Sequence, residues 1–230
     1  MDLNVLLLGR HEYGETLRIQ NELLEKRQRG EIGDTLILVE HDPVITLGKN
    51  AEKSNITASE ECLKDNGISV HSINRGGDVT YHGYGQIVGY PIINLRLKEM
   101  GVKKFVDTIE ELFIRLLGEK HSIAAGRDEH HTGVWVKGDK IVAIGLAVKR
   151  HVTMHGFAYN VSTNLEHFNY IVPCGIKDKG VTSLQKLSGK EFPDVGAECE
   201  SIIRYFCSLF SYENCRMVEL EEILNQGVSI

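Results

Sequence analysis

The chain contains no apolar run near the ~18 residues that would cross a bilayer, and its opening MDLNVLLLGRHEYG lacks a basic lead and a small-residue cleavage site. That opening reads as a first strand and not as a signal peptide. Basic residues are in deficit, with 26 Lys and Arg against 32 Asp and Glu and a net charge of −6, which argues against broad nucleic-acid binding. Five cysteines, at 62, 174, 199, 207 and 215, show no CxxC spacing. A disulfide framework and a zinc ribbon are therefore not expected, and a reducing cytoplasm is the natural setting. Gly76-Gly77 and Gly83-x-Gly85 lack the dinucleotide spacing, and no Walker lysine follows them. Repeats, low-complexity tracts and long linkers are missing as well. What remains is an ordinary globular composition, 42% hydrophobic and 25% charged, in 230 residues. That length suits one large domain or a domain with a small appendage.

Asn4 to Leu8 and Thr35 to Val39 read as strands, with a helix from about Glu15 to Gln28 between them. Thr57-x-x-Glu60 has the form of a capping box opening a short helix through Leu63, and Ile68 to Ile73 reads as a strand. Val102, Phe105, Val106, Ile109, Leu112, Phe113, Leu116 and Leu117 keep helical spacing throughout, which marks an amphipathic helix packed on a sheet. From Gly133 the pattern turns to β. Val134 to Val136, a turn at Lys137-Gly138-Asp139, and Ile141 to Val148 form a hairpin, with a further strand over Phe157 to Val161. A last amphipathic helix carries Val195, Cys199, Ile202, Ile203, Phe206 and Phe210. The expected class is α+β with a mixed or antiparallel sheet.

The stretch RGGDVTYHGYGQIVGYPI, residues 75–92, concentrates glycine beside Arg75, Thr80, Tyr81 and His82. Glycine weakens strands, so such density means a tight turn or a backbone that something approaches closely. The polar company favours a wall for a substrate. Cys174 stands between Pro173 and Gly175, a loop context that sets it apart from Cys199 and Cys207 on the last helix, which fit small buried hydrophobes. Reactivity at Cys174 requires an electropositive neighbourhood. Lys140 follows the hairpin turn, where a lysine is more often a solvated charge. His130-His131, His151-x3-His155 and His167 raise a metal hypothesis, because positions 151 and 155 of a strand share a face. No third ligand or carboxylate partner has convincing spacing, and no metal is expected.

Arg75-Gly76-Gly77-Asp78-Val79-Thr80-Tyr81-His82-Gly83, Lys140-Ile141-Val142-Ala143-Ile144-Gly145, His155-Gly156-Phe157-Ala158 and Pro173-Cys174-Gly175 occur in that order. Together they resemble the octanoyltransferases of lipoate synthesis, the lipoyl(octanoyl) transferases. The resemblance runs from about Glu40 through Thr182 and is compatible with one catalytic domain over residues 1–230. It implies the α+β fold of biotin and lipoate protein ligases, with mixed or antiparallel sheets and packed helices. It also implies transfer of an octanoyl group from octanoyl-acyl carrier protein to a lysine of lipoyl domains, those of 2-oxoacid dehydrogenases and the glycine-cleavage H protein. Cys174 matches the acyl-thioester nucleophile and Lys140 the lysine that lowers its pKa. Arg75, Gly76, Gly77, Asp78, Val79, Thr80, Tyr81, His82, Ala143, Ile144, Gly145, Gly156, Phe157 and Ala158 match the substrate-lining segments. No cofactor is implied. Two positions depart from the pattern: Tyr84 stands where proline is frequent, and Phe157 where leucine is common.

Two other readings use parts of this pattern. An ATP-dependent lipoate ligase has no need of a nucleophilic cysteine, and a non-catalytic acyl- or carrier-protein-binding module has no use for a lysine and cysteine together. An acidic carrier partner would need a local positive patch on this acidic chain. The cations nearest the motifs in sequence are Lys149, Arg150, Lys177 and Lys179.

Overall fold

Alternating apolar residues in a strand cover both sheet faces when helices lie on each side, and this explains the central strands of the chain. A computed structural model describes residues 1–172 and 179–226. In chain order the elements begin with β1 (Asp2–His11), α1 (Tyr13–Arg29), β2 (Asp34–His41), β3 (Val44–Leu47), α2 (Glu60–Asp65) and β4 (Ser69–Ser72). They continue with β5 (Val79–His82), β6 (Gln86–Ile92), α3 (Val102–His121), β7 (Val134–Val136), β8 (Asp139–Lys149) and β9 (Val152–Asn160). The last four are α4 (Leu184–Ser188), α5 (Gly196–Leu209), β10 (Asn214–Met217) and α6 (Leu220–Asn225). A seven-stranded sheet has the order β10-β1-β2-β6-β9-β8-β7, and a three-stranded sheet the order β4-β3-β5. Parallel pairs (β1 with β2 and β10, β3 with β4) and antiparallel pairs coexist, so both sheets are mixed.

Leu36 and Leu38 of β2 enter one core with α3 and α5, while Ile37 and Val39 enter a second core with α1. Every residue of β2 is buried as a result. The stripe of α3 lies in the first core, with Phe105, Ile109, Leu112, Phe113, Leu116 and Leu117 inaccessible to solvent. Each such side chain contributes about 1.5–3 kcal/mol on burial. The small sheet encloses a third core, in which Ile45, Val79 and Tyr81 meet Phe168 and Ile171.

The hairpin forms as its turn residues dictate. Lys137 and Gly138 both have positive φ (51° and 92°), the geometry that matches the twist of a two-residue connection. Elsewhere the local signals were ambiguous. Ser59 caps α2 by accepting from the Cys62 amide, whereas the Thr57 hydroxyl donates to the Asn169 carbonyl at 3.0 Å, so the expected box at Thr57 is displaced by two residues. His151 has a φ of 67° in the turn before β9, and so does not share a strand face with His155. The expectation of unpaired cysteines also fails at one pair: Cys207 at the end of α5 is joined to Cys215 in β10. Their closeness depends on the fold of the turn between them, which spacing alone does not reveal.

Strand β9 passes β6 at van der Waals limits. A β carbon on Gly156 would lie 2.0 Å from the Gly89 carbonyl oxygen and 2.6 Å from Pro91 Cδ. Because backbone atoms of a central strand cannot step aside, Gly156→Ala is expected to destabilise the protein by about 3 kcal/mol or more. A urea unfolding midpoint unchanged in that variant would contradict the packing.

Candidate active site

The register of β8 on β9 sets Ala143 opposite Ala158, Ile144 opposite Phe157 and Gly145 opposite Gly156. Two motifs distant in sequence thus become one wall. The glycine stretch crosses this wall as bare backbone: Gly76 donates to the Leu146 carbonyl at 3.0 Å, and a β carbon on Gly145 would come within 2.9 Å of the Gly76 oxygen. Between these segments, α3 and the start of β8 lies a cavity of about 640 Å³. Arg75, Gly76, Gly77, Asp78, Val79, Thr80 and His82 line it, as do Lys140, Ala143, Ile144, Gly145, Gly156, Phe157 and Ala158. Tyr81 does not. Its ring lies in the small-sheet core against Phe168, and its hydroxyl bonds His167 Nδ1 at 2.7 Å. Cys174 lies outside the described residues.

Each polar member is held from behind. The Arg75 guanidinium, 8% exposed, donates to the Thr46 carbonyl (2.9 Å), to the Thr46 hydroxyl (3.0 and 3.3 Å) and to the Gly76 carbonyl (3.1 Å). Asp78 accepts from Asn55 Nδ2 at 2.9 and 2.8 Å and from the Val79 amide at 2.7 Å, which makes it a brace of the loop. For His82, the tautomer follows from its neighbours. Gln86 Nε2 donates to the Tyr81 carbonyl and to Asn160 Oδ1, so Gln86 Oε1 accepts from His82 Nδ1–H at 2.7 Å. Nε2 of His82 is left as the acceptor. The chain of bonds continues from Asn160 to the Thr182 carbonyl, and the Thr182 amide donates to the Lys140 carbonyl.

Lys140 sits where three segments meet. Its amide donates to the Gly180 carbonyl at 3.0 Å, and its ammonium lies 4.7 Å from the ring centre of Trp135. Lys179 approaches the same ring at 4.9 Å and pairs with Asp128. On the other flank, the Val172 amide donates to the Asn55 carbonyl at 2.8 Å. Val172 is thus linked through Asn55 to the Asp78 brace, and Gly180 is bonded to Lys140. Lys149 and Arg150 are not close to this point: Lys149 ends β8, nine residues from Lys140, or about 30 Å along the strand.

Tyr13, Gln86, Tyr90 and His155 also line the cavity and were not among the expected site residues. Gln86 and Tyr90 fall inside the glycine stretch, where they could have been considered; Tyr13 opens α1, with no local signal. Burial is the main reason these groups shift. It pushes the Tyr13 phenol up to about 12 and lowers His155 to about 4, with the Arg75 charge adding to the lowering at His155. It lowers His82 to about 3, helped by His41, and His41 to about 4. His41 Nδ1–H donates to the His11 carbonyl, and its Nε2 accepts from the Tyr90 hydroxyl at 2.7 Å. Among the described residues, no three His, Cys, Asp or Glu side chains converge as a metal site.

This arrangement of sheets and helices has clear counterparts. An ATP-bound lipoate-protein ligase A shares the fold with a TM-score of 0.76 at 18% identity, over 97% of this chain and 93% of that one. An archaeal bipartite lipoate protein ligase from Thermoplasma acidophilum does so with a TM-score of 0.74 at 16% identity, over 97% and 91%. The fold is thus that of the lipoate-protein ligases. In sequence, the model of the lipoyl protein ligase A/B catalytic domain matches residues 12–207. An octanoyltransferase of Alkaliphilus metalliredigens is 57% identical over 95% of this chain and 100% of its own length. Another, from Caldicellulosiruptor bescii, is 54% identical over 91% and 92%. The chain belongs to the lipoyl protein ligase A/B catalytic-domain family and, within it, to the octanoyltransferases.

Three buried neutral histidines have a consequence for acid stability. The unfolded chain takes up protons near pH 6.5, but the folded chain does not until about pH 4 at His41 and His155 and about 3 at His82. The stability present above pH 6.5 is therefore lost as pH falls through this window, by up to ~1.4 kcal/mol per pH unit for each histidine. Urea midpoints are expected to drop steeply between pH 7 and pH 5. A flat midpoint over that interval would show that the histidines are not held neutral.

Proposed function

We propose that this chain moves an octanoyl group from octanoyl-acyl carrier protein to a lysine of lipoyl domains, through a thioester on Cys174. The reading treats residues 1–230 as one catalytic domain. The observation that carries it is the convergence at Lys140. The lysine stands on the wall of a partly apolar cavity, and its own backbone bonds Gly180 and Thr182, which follow the Cys174 segment in sequence. Competing thiols are poor candidates. Burial pushes Cys199 up to about 12, Cys207 and Cys215 are joined to each other, and Cys62 does not line the cavity.

The chemistry follows from ordinary acidities. A free thiol titrates near ~8.5 and is only a few per cent thiolate at neutral pH. An ammonium within ~4–6 Å lowers such a pKa by ~1–3 units, and Lys140 supplies that charge. The Cys174 thiolate attacks the thioester carbonyl of the donor, and the tetrahedral oxyanion is held by backbone N–H groups. Collapse breaks the bond to the carrier's thiol, which takes a proton from the Lys140 ammonium as it leaves, so that Lys140 is neutral in the acyl-enzyme. The acyl-enzyme remains a thioester, so the acceptor amine attacks it without nucleotide activation. The amine's proton passes to neutral Lys140, the Cys174–acyl bond breaks, and Cys174 returns as a thiolate beside the Lys140 ammonium. Arg75 to Thr80, His82, Ala143 to Gly145 and Gly156 to Ala158 form the walls along the acyl chain. The acceptors are the lipoyl domains of 2-oxoacid dehydrogenases and the glycine-cleavage H protein, and the setting is the cytoplasm.

Two experiments test this. Mixing the protein with octanoyl-carrier protein is expected to add one octanoyl mass that hydroxylamine removes and that Cys174→Ala lacks; an adduct mapped to Cys62 or Cys199 overturns the assignment. The alkylation rate of Cys174 is expected to titrate below ~8.5 in the native protein and to move upward in Lys140→Met, with acylation partly restored at high pH. A midpoint that stays put in the folded variant removes Lys140 from the ionisation step.

A further inference from the structure

Trp135 is the chain's single tryptophan and is 6% exposed. Its indole N–H donates to the His131 carbonyl at 3.1 Å, and its backbone exchanges two bonds of 2.9 Å with Gly126, so the ring has a fixed place. Two ammoniums share that ring, Lys140 at 4.7 Å and Lys179 at 4.9 Å from its centre. Both distances fall within the ~6 Å over which an aromatic face attracts a cation. They also bring the two charges to about 10 Å or less from each other, within roughly one Debye length at ~0.1 M salt, so the ammoniums repel.

An anion stands beside one of them. Asp128 Oδ2 pairs with Lys179, and its Oδ1 accepts from the amides of His130 and His131 at 3.0 Å each. The Lys179 bond and these amides hold the carboxyl well down, at about 2, so Asp128 is charged near neutral pH. His130, His131 and Thr132 line the cavity, and Gly180, next to Lys179, accepts from the Lys140 amide. The ion pair therefore joins the cavity loop to the stretch that bonds Lys140. We propose that Asp128 is a positioning residue: by compensating the charge of Lys179, it lets the Lys140 ammonium keep its place over Trp135 on the cavity wall. The inference rests on the role of Lys140 in octanoyl transfer.

Charge compensation and a mechanical tie make opposite predictions for a double variant. Asp128→Asn keeps the Oδ1 acceptor for both amides and removes only the charge. With octanoyl-carrier protein as donor, it is expected to lower kcat for transfer about tenfold while KM stays within about twofold, because Lys140 is displaced and the walls are not. Adding Lys179→Met removes the uncompensated cation and is expected to restore kcat to within about threefold of the native protein; a mechanical tie gives no such rescue. Emission of the lone tryptophan reads the cluster directly. Lys140→Met and Lys179→Met are each expected to shift the Trp135 maximum, since each removes a charge from beside the ring. Should Asp128→Asn not fold, these shifts decide. Native kcat in folded Asp128→Asn, a double variant no faster than the single one, or an emission maximum unmoved in both lysine variants overturns the role of Asp128. Absence of any octanoyl adduct on Cys174 in the native protein overturns the transfer reading instead.

Discussion

The site depends on how closely polypeptide backbones approach one another where β8 and β9 pair. At Gly145 and Gly156 the strands carry no side chains, and this lets Gly76 lie on one and Gly89 pass the other. A side chain at Gly156 would collide with Gly89 and Pro91 of β6, and one at Gly145 would push the glycine loop away from the sheet. The distance would then be too great for the bond from Gly76 to Leu146 that shapes the cavity. The polar braces serve the same end: Arg75 is tied to Thr46, and Asp78 to Asn55. A cavity of about 640 Å³ walled in part by main chain leaves room for an unbranched hydrocarbon, for which each buried methylene contributes about 0.8 kcal/mol.

Electrostatics inside the slot are set by burial. Desolvation keeps His41, His82 and His155 neutral, so the guanidinium of Arg75 is a permanent charge with neutral imidazoles around it. Arg75 and Lys140 are differently supported. Arg75 is fixed by a fork of carbonyl and hydroxyl acceptors, while Lys140 lies over the indole of Trp135 with its backbone in the bridge to Val181. A rigid guanidinium suits shaping, whereas an ammonium on a flexible stem suits proton transfer.

Elements with an unbroken period were readable in advance. The stripe of α3 and the hairpin of β7 and β8 needed only apolar spacing and the Lys137-Gly138 turn. The question posed by the glycine stretch was also answerable in kind, since close backbone approach was one of two readings and Gly76 on Leu146 realises it. What failed to show were facts of three-dimensional register. Tyr81 sits between two cavity residues in sequence, yet alternation turns its ring into the small-sheet core. Lys149 and Arg150 looked adjacent to the lysine motif, but a strand extends 3.3 Å per residue and carries them to its far end. Tyr13 reaches the cavity from the start of α1, far from the motifs, and Cys207 meets Cys215 through a turn with no signature. Ser59 rather than Thr57 caps α2 because both residues have the right chemistry and only packing chooses.

The claim that organises all of this is that the protein holds its acyl group as an activated thioester between two half-reactions. Its most direct test is to isolate the octanoylated protein, free of donor and nucleotide, and add a lipoyl domain. The account predicts that the octanoyl group leaves the protein and appears on the domain's lysine in a single turnover without ATP. An octanoyl group that stays on the protein until ATP is supplied would contradict it.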